Sequence, residues 1–292
     1  MRVRKAVIPA AGFGTRFLPA SKSQPKEMLP IVDKPTIQYV VEEAVDAGIT
    51  DILMVIGKGK RAIAELFDRN FVLERELAEK QKTKALESVR RIASMADIHF
   101  VWQKELRGLG DAVHHARWHV GKEPFLVLLG DTLIGSNPPV TREMLEVFDR
   151  YREPVVALEQ VPRDKIGRYG IIRGNAIQER VYLIEDLVEK PEPEDAPSDL
   201  AIAGRYVFTA EIFEHIANTT PGKNDEIQIT DAMRRMVGNR AMYGVRFNGQ
   251  RYDIGNKLDF LRTNIEFALA RDDLKDDVAD FIRRTAEALE GP

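Results

Sequence analysis

Ala10-Ala11-Gly12-Phe13-Gly14-Thr15-Arg16-Phe17-Leu18-Pro19, followed by Lys22 and Pro25-Lys26-Glu27-Met28-Leu29-Pro30, begins where the apolar run Ala6-Val7-Ile8 stops. Lys5 to Ala10 reads as a buried strand. It leads into a glycine-rich loop carrying three cations, Arg16, Lys22 and Lys26. Glycines let backbone N–H groups approach phosphate oxygens, and the cations balance their charge. The loop therefore predicts a nucleoside triphosphate site and phosphoryl or nucleotidyl chemistry. Two better-known phosphate loops do not fit. Phe17 stands where a dinucleotide-binding fingerprint needs its third glycine, which weakens a nicotinamide-dependent dehydrogenase, and no Gly-x-x-x-x-Gly-Lys-Ser/Thr occurs.

Outward from this loop, strand and helix signals alternate. A helix is expected over Thr36 to Ala47 behind Pro35, with Ile37, Val40, Val41, Ala44 and Val45 on one face. Strands are expected at Asp51 to Ile56, Ile98 to Trp102 and Phe125 to Leu129. Helices intervene at Arg61 to Phe67, across the charged stretch Val72 to Met95 with a break near Thr83, and at Gly110 to His119. This order predicts an α/β fold: a Rossmann-like, mostly parallel sheet flanked by helices. From Val155 onward the strands are short and separated by turn signals, so a smaller inserted β-rich substrate lobe is expected. Helices over Lys257 to Arg271 and Val278 to Leu289 close the chain. We expect one domain over 1–292, with a nucleotide-binding half (1–153), a sugar-binding half (154–256) and a helical tail (257–292).

The bulk numbers narrow the partners. With 43 Lys+Arg against 46 Asp+Glu, the net charge is −3, so no basic excess points to nucleic acid. Anionic substrates must be held by local cation clusters. Cysteine is absent, which fits the cytoplasm. No apolar run is long enough to cross a bilayer, and the N-terminal apolar run is too short and broken for a signal peptide.

Four further segments carry chemistry. Asp131 comes just after the strand at Phe125 to Leu129, where a carboxylate in an open α/β sheet reaches the ligand crevice and can hold Mg²⁺. Asp253, flanked by Gly255, is either a second such acid or the cap of the helix at Lys257. Lys190, in Glu189-Lys190-Pro191, can neutralise a monophosphate as a point charge. Gln103 offers an amide donor and acceptor to a base edge, and Gly108 and Gly110 would let a flat ring near the backbone. His115 and His119 share a helical spacing but lack the flanking Glu of a zinc motif, so they read as a helix face.

Together these segments resemble the bacterial UTP–glucose-1-phosphate uridylyltransferases, members of the sugar nucleotidyltransferase superfamily. The resemblance runs in order through Ala10 to Pro30, Asp33-Lys34-Pro35-Thr36-Ile37-Gln38-Tyr39-Val40-Val41, Gly108-Leu109-Gly110-Asp111-Ala112-Val113, Gly130-Asp131, Tyr169-Gly170, Glu189-Lys190-Pro191, Gly204-Arg205-Tyr206, Glu226-Ile227-Gln228-Ile229-Thr230-Asp231 and Tyr252-Asp253-Ile254-Gly255-Asn256-Lys257. It implies a Mg²⁺-assisted enzyme joining UTP and glucose 1-phosphate into UDP-glucose and pyrophosphate, cytoplasmic and assembled as a homodimer or homotetramer. It further implies that Ala10, Ala11, Gly12, Gly14 and Glu27 surround the nucleotide, and that Gln103 and Gly108 read uracil. Arg16 and Lys26 would hold the departing phosphates, Asp131 and Asp253 Mg²⁺, Gly170, Glu189 and Gly204 the glucose, and Lys190 its phosphate. A thymidylyl or other sugar-1-phosphate nucleotidyltransferase, and a catalytically silent nucleotide-sugar-binding regulator, are the competing expectations. The chain departs from the family pattern at Ser21, Gln24, Asp111, Thr132 and Asn224-Asp225.

Overall fold

The structure is a computed structural model and describes residues 2–222 and 225–290. Asn224 therefore lies outside the described residues. The first strand, β1 (Lys5–Ala10), feeds the glycine loop, and the short pair β2 (Pro30–Ile31) and β3 (Lys34–Pro35) leads into helix α1 (Thr36–Asp46). Next come β4 (Asp51–Ile56), α2 (Arg61–Phe67), α3 (Phe71–Glu79), α4 (Thr83–Ser94) and β5 (Asp97–Trp102). The helix expected over Gly110 to His119 is two pieces, α5 (Gly108–His114) and α6 (Arg117–Val120). The middle of the chain forms β6 (Phe125–Leu128), β7 (Thr132–Ser136), α7 (Val140–Tyr151), β8 (Val155–Gln160), β9 (Gly170–Ala176), β10 (Val181–Glu189) and β11 (Leu200–Phe208). The chain ends with α8 (Ile212–Ala217), α9 (Ile229–Val237), β12 (Tyr243–Arg246), β13 (Gly249–Asp253), α10 (Lys257–Leu269) and α11 (Lys275–Glu290).

Nine strands form one sheet in the order β5-β4-β1-β6-β11-β8-β12-β10-β9. The expected α/β class is what is found, but the sheet is mixed rather than mostly parallel, because later strands such as β11 enter it antiparallel. Its parallel pairs are β5–β4, β4–β1 and β1–β6, with β8–β12 farther along. β11 runs antiparallel to both β6 and β8, and β10 antiparallel to β12 and β9.

Strand periodicity explains the three layers. Along β1 and β4, Ala6, Ile8, Ala10, Ile52, Met54 and Ile56 face one side and pack with Ile37, Val40, Val41 and Ala44 of α1. The alternate residues Val7, Leu53 and Val55 face the other side, with Val113, Ala116, Val120, Ile212 and Met233. A strand buried on both faces needs apolar residues at every position, which is why these runs are continuous. Complete burial of each valine, leucine, isoleucine or methionine among them is worth roughly 1.5–3 kcal/mol.

Besides the β2–β3 pair, a second two-stranded ribbon stands apart from the sheet. β7 and β13 pair antiparallel, with Asp253 opposite Thr132, and the Ile254 N–H donates to the Asp131 carbonyl (3.1 Å). Residues more than a hundred positions apart in the chain thus meet beside the carboxyl end of β6.

Candidate active site

The loop after β1 folds back on itself. Phe17 N–H bonds to the Gly14 carbonyl (2.9 Å), and Phe17 is buried with its ring edge-on to Phe260 of α10. Gly14 takes φ +66°, and a Cβ there would lie 3.0 Å from Lys26 Cβ, so glycine is required both by conformation and by space. The aliphatic stem of Lys26 packs in that gap, and its ammonium ion-pairs with Asp131. Burial opposes ionisation of Asp131, but the Lys26 charge and hydrogen bond outweigh it and hold the carboxyl below its ordinary range. Burial likewise opposes the charge of Lys26, yet Asp131, Glu27 and Asp253 together raise it above the usual lysine value.

Behind this pair lies a second one. Lys60, at the entry to α2, reaches Glu27 at 2.6 Å, and both side chains are almost fully buried. Burial pushes Glu27 up and Lys60 down, each partly offset by the other's charge. Lys60 lies behind the cavity wall through Glu27 and was not singled out in the sequence. The clue was its place in Gly57-Lys58-Gly59-Lys60, a glycine-bearing turn at the carboxyl end of β4.

Two cavities meet here. One, of about 580 Å³, is lined by Ala10, Ala11, Gly12, Gly14, Lys26, Glu27, Gln103, Gly108 and Asp131. The other, of about 290 Å³, is lined by Asp131, Gly170, Glu189, Lys190, Gly204, Thr230, Arg251 and Asp253. They share Leu109, Leu129, Asp131 and Glu226. The structure thus brings the sequence-predicted site residues onto two adjoining walls, except Arg16, Lys22 and Gly110, the last of which packs against the Ile227 carbonyl. Arg16 is exposed at the rim, where its Nη1 would lie 3.7 Å from a Cβ placed on Gly255. A more voluminous hollow, about 750 Å³ between Gln160, Arg163, Pro193 and Asp199, shares no lining residue with these two.

In the first cavity, Gln103 is buried and its amide Nε2 donates to Asp111 Oδ2 (2.7 Å) and to the Gly108 carbonyl (3.3 Å). With both donor hydrogens engaged, what Gln103 has left to offer a base is an acceptor, its carbonyl oxygen. The backbone of this wall is held by Ile227, whose N–H donates to Arg107 O (2.7 Å) and whose carbonyl accepts from Gly110 N–H (2.8 Å).

In the second cavity, Glu189 accepts from Thr230 Oγ1 (2.7 Å) and pairs with Lys190 Nζ (2.9 Å). Lys190 takes φ +46°, a left-handed conformation that interrupts the extended backbone just after β10 ends. Gly170 lines the wall closely: a Cβ there would lie 2.9 Å from Thr230 Oγ1 and 3.3 Å from Glu189 Oε2. Arg251, two residues before Asp253, pairs with Glu159 (2.7 Å) and lies over the Tyr169 ring (3.9 Å). It adds a cation to this wall that the sequence did not single out. Its signal is only positional, one strand period from Asp253.

The Asp131 and Asp253 carboxylates supply hard oxygen donors on one cavity wall, and Asp253 Oδ1 accepts a single backbone N–H, that of Gly255 (2.8 Å). This donor set suits a divalent ion that takes one or two carboxylates and completes its shell with substrate phosphates. Asp253 is thus on the cavity wall rather than the cap of α10, a role filled by Asn256, which accepts from Asp259 N–H (2.9 Å).

Comparison with known proteins agrees with this geometry. The profile of the Nucleotidyl transferase family matches residues 5–268. The UTP–glucose-1-phosphate uridylyltransferase of Bacillus subtilis (strain 168) is 49% identical over 281 residues, covering 96% of this chain and 96% of that protein. Among solved structures, a UDP-glucose pyrophosphorylase complexed with UDP-glucose is similar at TM-score 0.85 and 43% identity, over 92% of this chain and all of that one. A UTP-bound UGPase from Acinetobacter baumannii is similar at TM-score 0.89 and 36% identity, over 96% of this chain and 98% of that one.

Proposed function

The chain belongs to the nucleotidyl transferase family, among the UTP–glucose-1-phosphate uridylyltransferases, and from that footing we propose that it makes UDP-glucose and pyrophosphate from UTP and glucose 1-phosphate. One observation carries this reading: the nucleotide-sized and sugar-sized cavities adjoin at Asp131, with Lys26 on one side and Lys190 on the other. Two anions can then meet at a shared point with a cation behind each.

In the reaction an oxygen of the sugar phosphate attacks the α-phosphorus of UTP, a P–O bond forms, and the bond to pyrophosphate breaks in line. The attacking oxygen is already ionised at neutral pH, so no side chain need act as nucleophile or base. Mutual repulsion is a large part of the barrier, and the site's work is to cancel charge and fix the line of attack. Lys26 and Arg16 neutralise the departing phosphates. Lys190 neutralises the incoming one, and Glu189, Gly170 and Gly204 seat the hexose. Gln103, its amide fixed by Asp111, accepts from the N3–H of uracil, and Gly108 borders the ring. Asp131 and Asp253 would hold Mg²⁺, which supplies charge stabilisation and a template for both phosphates. The same reading includes a cytoplasmic homodimer or homotetramer. Among the described residues no helix is long and apolar enough to cross a membrane.

The deciding experiment is a pyrophosphate-release assay across four nucleoside triphosphates and several sugar 1-phosphates. UTP with glucose 1-phosphate should turn over fastest. Preference for a thymidine nucleotide would move the chain to the thymidylyl branch, and UDP-glucose binding without turnover would make it a silent regulator.

A further inference from the structure

Far from both cavities, near the amino ends of two neighbouring strands, three metal-ligating side chains converge. Asp51 is the first residue of β4, and its register partner is Asp97, the first residue of β5. Two positions on, His99 returns to the same face of the sheet as Asp51. That face is covered by α5 and α6, and His119 of α6 comes down onto it. His119 Nε2 lies 2.8 Å from Asp51 Oδ1, and His99 Nε2 lies 3.9 Å from the same oxygen. The imidazole rings are 4.9 Å apart, and one ligand atom from each of the three groups falls within 4.8 Å of the others.

We propose that Asp51, His99 and His119 bind a borderline divalent transition-metal ion, with Zn²⁺ the best match. Two imidazoles and one carboxylate form a three-ligand set of the kind that holds zinc while leaving a position for water. Imidazole donors favour such an ion over Mg²⁺ or Ca²⁺, which take oxygen ligands. The half-exposed His99 ring provides the entry side. Neighbouring groups hold the frame. Lys5 Nζ donates to the His119 carbonyl (2.8 Å), and the charges of Lys5 and Arg4 are both balanced by Glu123 (2.9 and 2.7 Å). An ion at this position ties β5, the edge strand of the sheet, to β4 and to α6. His119 thus works with His99 and Asp51 across the fold, and not with His115, its helical-spacing neighbour in the sequence. The inference does not depend on the proposed activity.

The test uses the full-length chain, stripped with chelator, held in saturating MgCl₂ and titrated with ZnCl₂ by calorimetry and thermal melting. One Zn²⁺ per chain should bind, and the melting temperature should rise with Zn²⁺ concentration. His99→Ala removes an exposed ring, so it should fold normally, bind Zn²⁺ at least about tenfold more weakly and lose the thermal shift. His119→Gln should do likewise, whereas Asp131→Asn should keep the zinc response. Absence of binding, wild-type affinity in His99→Ala, or loss of the response in Asp131→Asn alone would each overturn the assignment.

Discussion

Lys26 and Asp131 form the pair on which the proposed chemistry would turn, because each is held in its charged form by the other in a setting that disfavours charge. Asp131→Asn keeps the shape of the side chain and removes its charge. It should lower kcat by at least about 100-fold, the scale of losing one electrostatic stabiliser. Steady-state rates at saturating substrate, with a melting curve to confirm folding, decide this. A near-wild-type kcat would exclude Asp131 from the reacting centre. Lys190→Ala should raise KM for glucose 1-phosphate far more than KM for UTP, since Lys190 stands on the wall of the smaller cavity only. Equal losses for both substrates would place the lysine elsewhere. Gln103→Ala should compress the ratio of kcat/KM between UTP and the other triphosphates, and an unchanged ratio would show that the base is read by different groups. These residues were legible in the sequence because each sits near a glycine or at a strand end. Lys60 and Arg251 were not, because their partners, Glu27 and Glu159, are distant in the chain.

At the scale of elements, the charged stretch after β4 divides near Thr83, as its composition suggested, into α3 and α4. What the charge pattern could not show is that one of its acids turns inward. Glu74 of α3 is buried and accepts hydrogen bonds from Arg69 (3.0 and 2.7 Å) and from Arg90 of α4 (3.0 Å). Those bonds from the two arginines lower its pKa to about 2. A carboxyl lowered in the folded state stabilises the fold above its ordinary value of 4.5, and that contribution fades as pH falls toward 2. Amide exchange in α3 and α4 should therefore accelerate in acid relative to the central strands, and Glu74→Gln should show the fast exchange already at neutral pH. Indistinguishable exchange in variant and wild type would remove Glu74 as the tie between these helices. The β7–β13 ribbon was equally hidden. Only the strand-like character of the residues before Asp253 hinted at it, and pairing between distant short segments leaves no periodic trace.

Across the whole molecule, Arg205 is the chief internal tie. It is fully buried on β11, bonds Glu43 of α1 through Nε and Nη2 (2.9 and 2.7 Å), and donates to the Thr132 carbonyl of β7 (2.7 Å). Thr141 of α7 bonds the same glutamate. Removing one partner of such a pair leaves an uncompensated charge. Arg205→Met should lower unfolding stability by about 3–5 kcal/mol, while Arg205→Met combined with Glu43→Leu should recover much of the loss. Urea unfolding of the three proteins measures both, and a single-variant loss below about 1 kcal/mol would show that the tie contributes little. The α/β class and the early parallel strands were readable from continuous apolar runs. The interleaving of later strands was not, since the order in which strands sit side by side depends on crossovers that local composition does not encode.

That interleaving matters during synthesis on the ribosome. β1, β4, β5 and β6 can pair as soon as they emerge, but the free side of β6, Phe125-Leu126-Val127-Leu128, waits for β11, which is translated more than seventy residues later. Until Leu200 to Phe208 leave the exit tunnel, an apolar, hydrogen-bond-hungry border stays open to any other nascent chain. A pause in translation between these two strands would prolong that hazard, and a chaperone that shields β6 would act in this interval.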